Sequence, residues 1–179
     1  MTQMLQDDIL KLDNQLCFAL YAATRAMTNA YRELLTSLGL TYPQYLVMLV
    51  LWEHGTKTVK DLGLMLSLDS GTLSPLLKRL ESAGLVERKR RTVDERLVEI
   101  HLTEAGLSLK NQAAPIATEF VCRTALESEA FTKLREQLHQ LAAALSASGE
   151  KNTQNNSMCL PPVMPSPIPA RKNQTADPV

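Results

Sequence analysis

The stretch SGTLSPLLKRLESAGLVERKRRTVDERLVEIHLT, residues 70–103, constrains this chain more than any other part of it. Leu73, Leu76, Leu77 and Leu80 recur at i, i+3, i+4 and i+7, which places one apolar stripe on a helix. The opposite face carries Ser70, Thr72, Ser74, Lys78 and Arg79, all able to donate to phosphates or base edges. Gly84 stands where a helix end wants a left-handed residue. Leu85 and Val86 open a strand, and Arg88, Lys89, Arg90 and Arg91 follow as a run of four cations on a basic loop. Leu97, Val98, Ile100 and Leu102 return as a second strand. A helix followed by a hairpin with a basic tip is the recognition half of a winged helix-turn-helix, a unit that reads duplex DNA.

Global charge adds nothing to this, because the 179 residues carry 19 basic and 19 acidic side chains. Local charge does: residues 70–101 hold seven Lys/Arg against five Asp/Glu, a net of +2. Elsewhere such a run is often a solvated strand end; beside this helix it reads as a phosphate-binding surface. The length suffices for one globular domain with a sizeable core. Residues 1–12 lack the basic start and apolar centre of a secretory signal, and the longest apolar run, residues 45–52, is too short to span a membrane. Three cysteines in such a chain suggest reduced thiols, and the expected location is the cytoplasm, with no membrane contact. His54, His101 and His139 make no close metal-ligand spacing, and there is no phosphate-binding glycine loop or nucleophile elbow. No metal or cofactor is therefore expected, and an enzyme is not.

The remaining segments fit around this unit. Residues 7–38 read as one long helix, with Leu12, Leu16, Leu20, Ala23, Met27, Ala30, Leu34 and Leu38 as a continuous seam. That seam is too long for one small wing domain to bury, so a helix of another subunit is its natural cover. Cys17 lies early in the seam, beside Phe18 and one turn before Tyr21. It reads either as a small buried hydrophobe or, if the regular helix starts near Asp13 with Asp13 or Asn14 as cap, as a thiol whose thiolate the helix dipole favours. Thr41, Tyr42, Pro43 and Gln44 start an apolar core helix, with Thr41 as cap. Thr58 and Val59 read as a short third strand, residues 60–67 as a small helix with Leu62 and Leu66 inward, and Asp69 or Ser70 as the cap of the recognition helix. Pro75 falls inside that helix, as a tolerated kink or as a device shaping its first turn. Thr103 caps a helix with Leu109, Ala113, Ile116, Ala117 and Phe120 on one face, bent at Pro115. Residues 126–145 form the last helix, striped by Phe131, Leu134, Leu138, Leu141 and Leu145. Six of the nine prolines lie at or after Pro161, so the tail reads as disordered. The expected partition is 1–40 for an N-terminal dimerisation helix, 41–103 for DNA binding, 104–146 for C-terminal dimerisation helices and 147–179 for the tail.

Four motifs sharpen the picture: the D-x-R of Asp94 and Arg96, the L-T-E-x-G of residues 102–106, DSGTLSPLLKRLE at 69–81 and LDNQLCFALYAATRAM at 12–27. Together they resemble the MarR family of dimeric transcriptional regulators, and within it the organic-hydroperoxide-sensing, OhrR-like branch, from about Asp13 to about Leu145. The resemblance implies a mainly α fold with a small β-wing and a helical dimerisation layer. It implies a homodimeric repressor on a pseudo-palindromic double-stranded DNA operator, released when organic hydroperoxide oxidises Cys17. In that arrangement Tyr31 and Tyr42 of the partner subunit hydrogen-bond the Cys17 sulfur, and Tyr21 repositions on oxidation. Arg96, paired with Asp94, is the expected minor-groove or phosphate contact; Lys78, Arg79, Arg88, Lys89, Arg90 and Arg91 are candidate backbone contacts. Cys122 reads by itself either as a small buried residue or as a thiol in an ordered helical layer; it resembles the resolving cysteine of two-cysteine members, which bridge it to Cys17 of the other subunit. Cys159 in the tail, or a small thiol, is the other possible partner. Two rival functions stay open: a MarR-type regulator released by a small phenolic or lipophilic ligand with Cys17 as core packing, and a thiol peroxidase, which leaves the helix and wing unexplained. The proline-rich tail departs from the family pattern.

Overall fold

The computed structural model describes residues 8–90 and 97–150, with side chains described up to 147. In chain order these run through a 3-10 turn Leu12–Asn14, helix α1 Leu16–Leu34 and a second 3-10 turn Leu35–Leu38. Then come α2 Tyr42–His54, β1 Lys57–Thr58, α3 Val59–Leu66, α4 Ser70–Ser82, β2 Val86–Arg90, β3 Val98–Leu102, α5 Glu104–Arg123 and α6 Ser128–Glu150. The chain divides into two units, residues 25–131 and residues 1–24 with 132–179, with boundaries inside α1 and α6.

The larger unit holds the core. Val47, Met48 and Leu51 of α2, Leu62 of α3, and Leu73, Leu77 and Leu80 of α4 are buried together with Leu35, Val86, Ile100, Ala113 and Ile116. α2 is apolar on nearly every side because neighbours pack around it; Leu49 alone among its large apolar residues is substantially exposed. Its start is closed by Gln44, whose side-chain oxygen accepts from the Thr41 amide at 2.9 Å and the Thr41 hydroxyl at 2.8 Å. This satisfies a glutamine that is otherwise buried.

The sheet is antiparallel in the order β1-β3-β2. The short strand lies one residue earlier than predicted, at Lys57 and Thr58, because Thr58 also caps α3: the Asp61 amide donates to its hydroxyl oxygen at 3.1 Å. α3 ends at Ser67, left-handed with φ 54°, and the Leu68 amide returns to the Gly63 carbonyl at 2.9 Å. After α4 the chain turns at Gly84, φ +70°. Thr103 ties that turn to α5: its hydroxyl donates to the Gly84 carbonyl at 2.7 Å and accepts the Gly106 amide at 3.0 Å. A Cβ at Gly106 would lie 2.1 Å from the Leu85 carbonyl oxygen, which accounts for the glycine of the L-T-E-x-G motif. α5 runs continuously through Pro115; Leu109 and Phe120 are half-buried, but Ala117 is exposed rather than inward.

The first helix is not continuous from residue 7 to 38. A 3-10 turn at Leu12–Asn14 is followed by extended backbone at Gln15, and the side-chain amide of Asn14 donates to the Asp8 carbonyl at 2.8 Å. Short polar side chains that bond the local backbone in this way compete with the helix. The other end tightens into Leu35–Leu38 and stops at left-handed Gly39. In the smaller unit Leu10, Leu12 and Leu16 are 81%, 57% and 61% exposed, and α6 likewise leaves Leu134, Leu138 and Leu145 uncovered. α6 runs to Glu150, past residue 147 where the tail was expected to begin; Cys159 and the rest of the tail lie outside the described residues.

Candidate DNA-binding face and thiol site

α4 is held from below by its three buried leucines and packs on α2 and α3. Asp69 caps it, taking the Thr72 amide at 2.9 Å and the Thr72 hydroxyl at 2.7 Å. The Thr72 hydroxyl first, then its amide, hold the Asp69 carboxyl below the usual carboxylate range. Ser70, Thr72, Ser74, Lys78 and Arg79 are all exposed. Two of them differ from expectation, for the Thr72 hydroxyl proton goes to Asp69 and that of Ser74 to the Ser70 carbonyl at 2.7 Å. Hydroxyls near a helix start bond the backbone or cap first, so these two offer lone pairs outward rather than donors. Between α3, α4 and the wing lies an open cleft of about 890 Å³, lined in part by Lys60, Ser70, Ser74 and Arg88. Lys60 escaped the sequence reading because it precedes the recognition helix by ten residues and only the packing of α3 on α4 brings it to this face.

The pleat splits the described part of the run of cations: Arg88, Lys89 and Arg90 lie on β2 itself rather than on a loop. Residues 86, 88 and 90 share one face and 87 and 89 the other. Val86 is buried, so Arg88 and Arg90 stand on the helix side. There Arg88 pairs with Glu81 of α4 at 3.3 Å, and the same carboxylate accepts the Arg88 amide. Lys89 faces away and pairs with Glu87 at 2.8 Å. Across from them on β3, His101 stands 3.3 Å from Glu99 and 3.0 Å from the Thr56 hydroxyl, so that face sets two carboxylates, Glu87 and Glu99, beside Lys89 and is not cationic. Arg91, Asp94 and Arg96 lie outside the described residues.

Cys17 is the second residue of α1 and is exposed. The carbonyl of Gln15 accepts the Ala19 amide at 3.1 Å, so Gln15 occupies the cap position predicted for Asp13 or Asn14, both taken up by the 3-10 turn. In the same unit Phe18 and Tyr21 have ring centroids 6.4 Å apart, with Tyr21 56% exposed. In the larger unit Tyr31 is the centre of an aromatic cluster, 5.0 Å from Tyr42, 5.7 Å from Tyr45 and stacked on Phe120 at 4.2 Å. Burial, then Tyr45 and Tyr42, push the Tyr31 phenol up to about 12, and burial raises that of Tyr42. Both therefore keep their protons at neutral pH and can donate. Cys122, in the last turn of α5, is exposed, so neither described cysteine is core packing within one protomer. Among the described residues no group of three or more His, Cys, Asp or Glu could hold a metal ion, and no single helix is long and apolar enough to cross a membrane.

The family described as transcriptional regulator SarA/Rot matches residues 29–113. The chain is 50% identical over 138 residues to the organic hydroperoxide resistance transcriptional regulator of Bacillus subtilis, spanning 77% of this chain and 94% of that protein. Among solved structures, overoxidised AbfR bound to DNA matches with a TM-score of 0.65 at 36% identity, covering 81% of this chain and 99% of that one. AbfR of Staphylococcus epidermidis in its disulfide-formed state matches with a TM-score of 0.55 at 34% identity, over 84% of this chain and 100% of that one. These are DNA-binding transcriptional regulators and not enzymes. The chain belongs to the MarR family of winged-helix transcriptional regulators, on the branch of the organic hydroperoxide resistance regulators.

Proposed function

We propose that this regulator is a homodimeric, cytoplasmic repressor that leaves a pseudo-palindromic operator when organic hydroperoxide oxidises Cys17. The observation that carries the reading is the exposed thiol at the second residue of α1, in a chain half-identical to an organic hydroperoxide resistance regulator. The Cys17 thiolate attacks the distal oxygen of the hydroperoxide, and the departing alkoxide takes a proton to leave as an alcohol, giving a sulfenic acid. The Cys122 thiolate of the other subunit then attacks that sulfur, and hydroxide leaves as water as the disulfide closes. That AbfR has been solved on DNA in an overoxidised form supports the disulfide, rather than added oxygen on the sulfur, as the releasing state.

The test pairs two measurements on purified protein: hydroperoxide consumed per protomer, and operator binding. Stoichiometric consumption with loss of binding is expected; steady turnover in the presence of a thiol reductant would instead mark a peroxidase. Cys17→Ser should keep the fold and DNA binding and ignore hydroperoxide, and release of this variant at wild-type doses would sink the sensor role. On a non-reducing gel a covalent dimer should form, be reversed by dithiothreitol, vanish in Cys17→Ser and Cys122→Ser, and persist in Cys159→Ser.

A further inference from the structure

Cys122 lies in the last turn of α5, the part of a helix that frays unless something outside it holds it. Phe120 stacks on Tyr31 of α1 with ring centroids 4.2 Å apart and planes at 19°. Arg123 pairs with Glu33 of α1 at 2.9 Å and with Glu119, one turn back on α5, at 3.2 Å. Just beyond, the helix stops: the Thr124 amide bonds back to Phe120 and Val121, and Ala125 turns left-handed at φ 52°. At about 100° per residue, Cys122 sits roughly 160° round the helix from Phe120. The ring faces α1, so the sulfur is turned the other way, and Cys122 is exposed.

We infer that Phe120 and Arg123 are positioning residues for disulfide formation at Cys122: they pin the end of α5 to α1 and so set where its sulfur stands. This rests on the proposed pairing of Cys17 with Cys122. Loosening the pins leaves the first step alone, because Tyr31, which touches α5 through Phe120, is held among Tyr42 and Tyr45 as well. It slows the second, because an unpinned thiol samples many positions instead of one, and a small misplacement costs a large factor in rate. The stack matters more than the ion pair, since Arg123 and Glu33 are 39% and 74% exposed and exposed pairs are weak. Tyr31 keeps its Tyr42 and Tyr45 neighbours, at 5.0 and 5.7 Å, when Phe120 is shortened.

The experiment treats the full-length protein with one equivalent of cumene hydroperoxide and follows two products in time. Sulfenic acid at Cys17 is trapped with dimedone and measured by mass spectrometry; the covalent dimer is measured on non-reducing gels. Phe120→Leu should slow dimer formation about tenfold and Arg123→Gln about threefold, with trapped sulfenic acid appearing at the wild-type rate and persisting longer. Arg123→Lys, which keeps the charge, should recover most of the rate. Unchanged dimer formation in both variants, or equal slowing of both steps, overturns the positioning role. A control separates this from the reading beneath it: if Cys122→Ser still gives the covalent dimer, the Cys17–Cys122 pairing itself has failed.

Discussion

Gly106 holds the wing to α5 through what it lacks. A Cβ there would meet the Leu85 carbonyl oxygen at 2.1 Å and the carbonyl carbon at 3.1 Å, both backbone atoms that cannot swing aside. The Gly106 carbonyl also accepts the indole N–H of Trp52 at 2.8 Å. Gly106→Ala should therefore lower stability by about 3 kcal/mol or more, read as a fall in the urea midpoint followed by the fluorescence of the single tryptophan. A change within error would mean that β2 and α5 part at little expense. Tyr31 makes a second residue-level case. Its phenol ionises at about 12 in the fold against an ordinary value of 10.0, so between these values the folded chain keeps a proton that the unfolded chain has lost. Its contribution to stability is full below pH 10 and disappears as pH rises to about 12. Thermal melts across this window should fall more steeply in wild type than in Tyr31→Phe; equal slopes would show that Tyr31 does not set the alkaline limit.

At the scale of elements, β2 decides which of its cations stand on the side of the recognition helix. The pleat gives Arg88 and Arg90 to the helix side, while Lys89 is taken by Glu87 at 2.8 Å. Arg90→Ala should weaken operator binding more than Lys89→Ala, measured by fluorescence anisotropy at fixed salt. The reverse order would place the DNA on the other face of the sheet. Arg88 is tied to Glu81 at the end of the recognition helix, so it braces wing against helix before it meets any phosphate. Glu81→Gln should release it and steepen the slope of log affinity against log salt by about one unit. An unchanged slope would leave Arg88 as a brace and nothing more.

For the molecule as a whole, the question is what covers the apolar surface of the terminal segments. Leu10, Leu12, Leu16, Leu134, Leu138 and Leu145 are 40% exposed or more in the protomer, and α1 buries none of its residues. Large apolar side chains left exposed in such number mark an interface where they join into one patch, which is the physical basis of the proposed homodimer. Leu16→Glu with Leu138→Glu should shift sedimentation from dimer toward monomer and weaken operator binding with it, since in the proposed dimer two recognition helices one turn apart bind far more tightly together than either does alone. A dimer that survives both changes would move the interface elsewhere. The intact dimer should lose roughly 10³-fold in affinity between 50 and 200 mM salt if about six phosphates are neutralised.

What the sequence determined by itself is what local chemistry specifies. Caps at Thr41 and Thr103, the leucine spacing of α4 and the left-handed turn at Gly84 are each set within a few residues, and each stands where the pattern put it. The motifs carried the family for the same reason: they are local and ordered. Tertiary structure decided what depends on residues far apart in the chain. The pairing of Arg88 with Glu81, the arrival of Lys60 beside α4, and the gathering of Tyr31, Tyr42, Tyr45 and Phe120 into one cluster all require elements to pack first. Even the break at Leu12–Asn14, short as it is, turns on a side chain of Asn14 reaching back to Asp8, a contact that no hydrophobic period records. A linear pattern reports which face a residue takes on its own element; it cannot report what that face will meet.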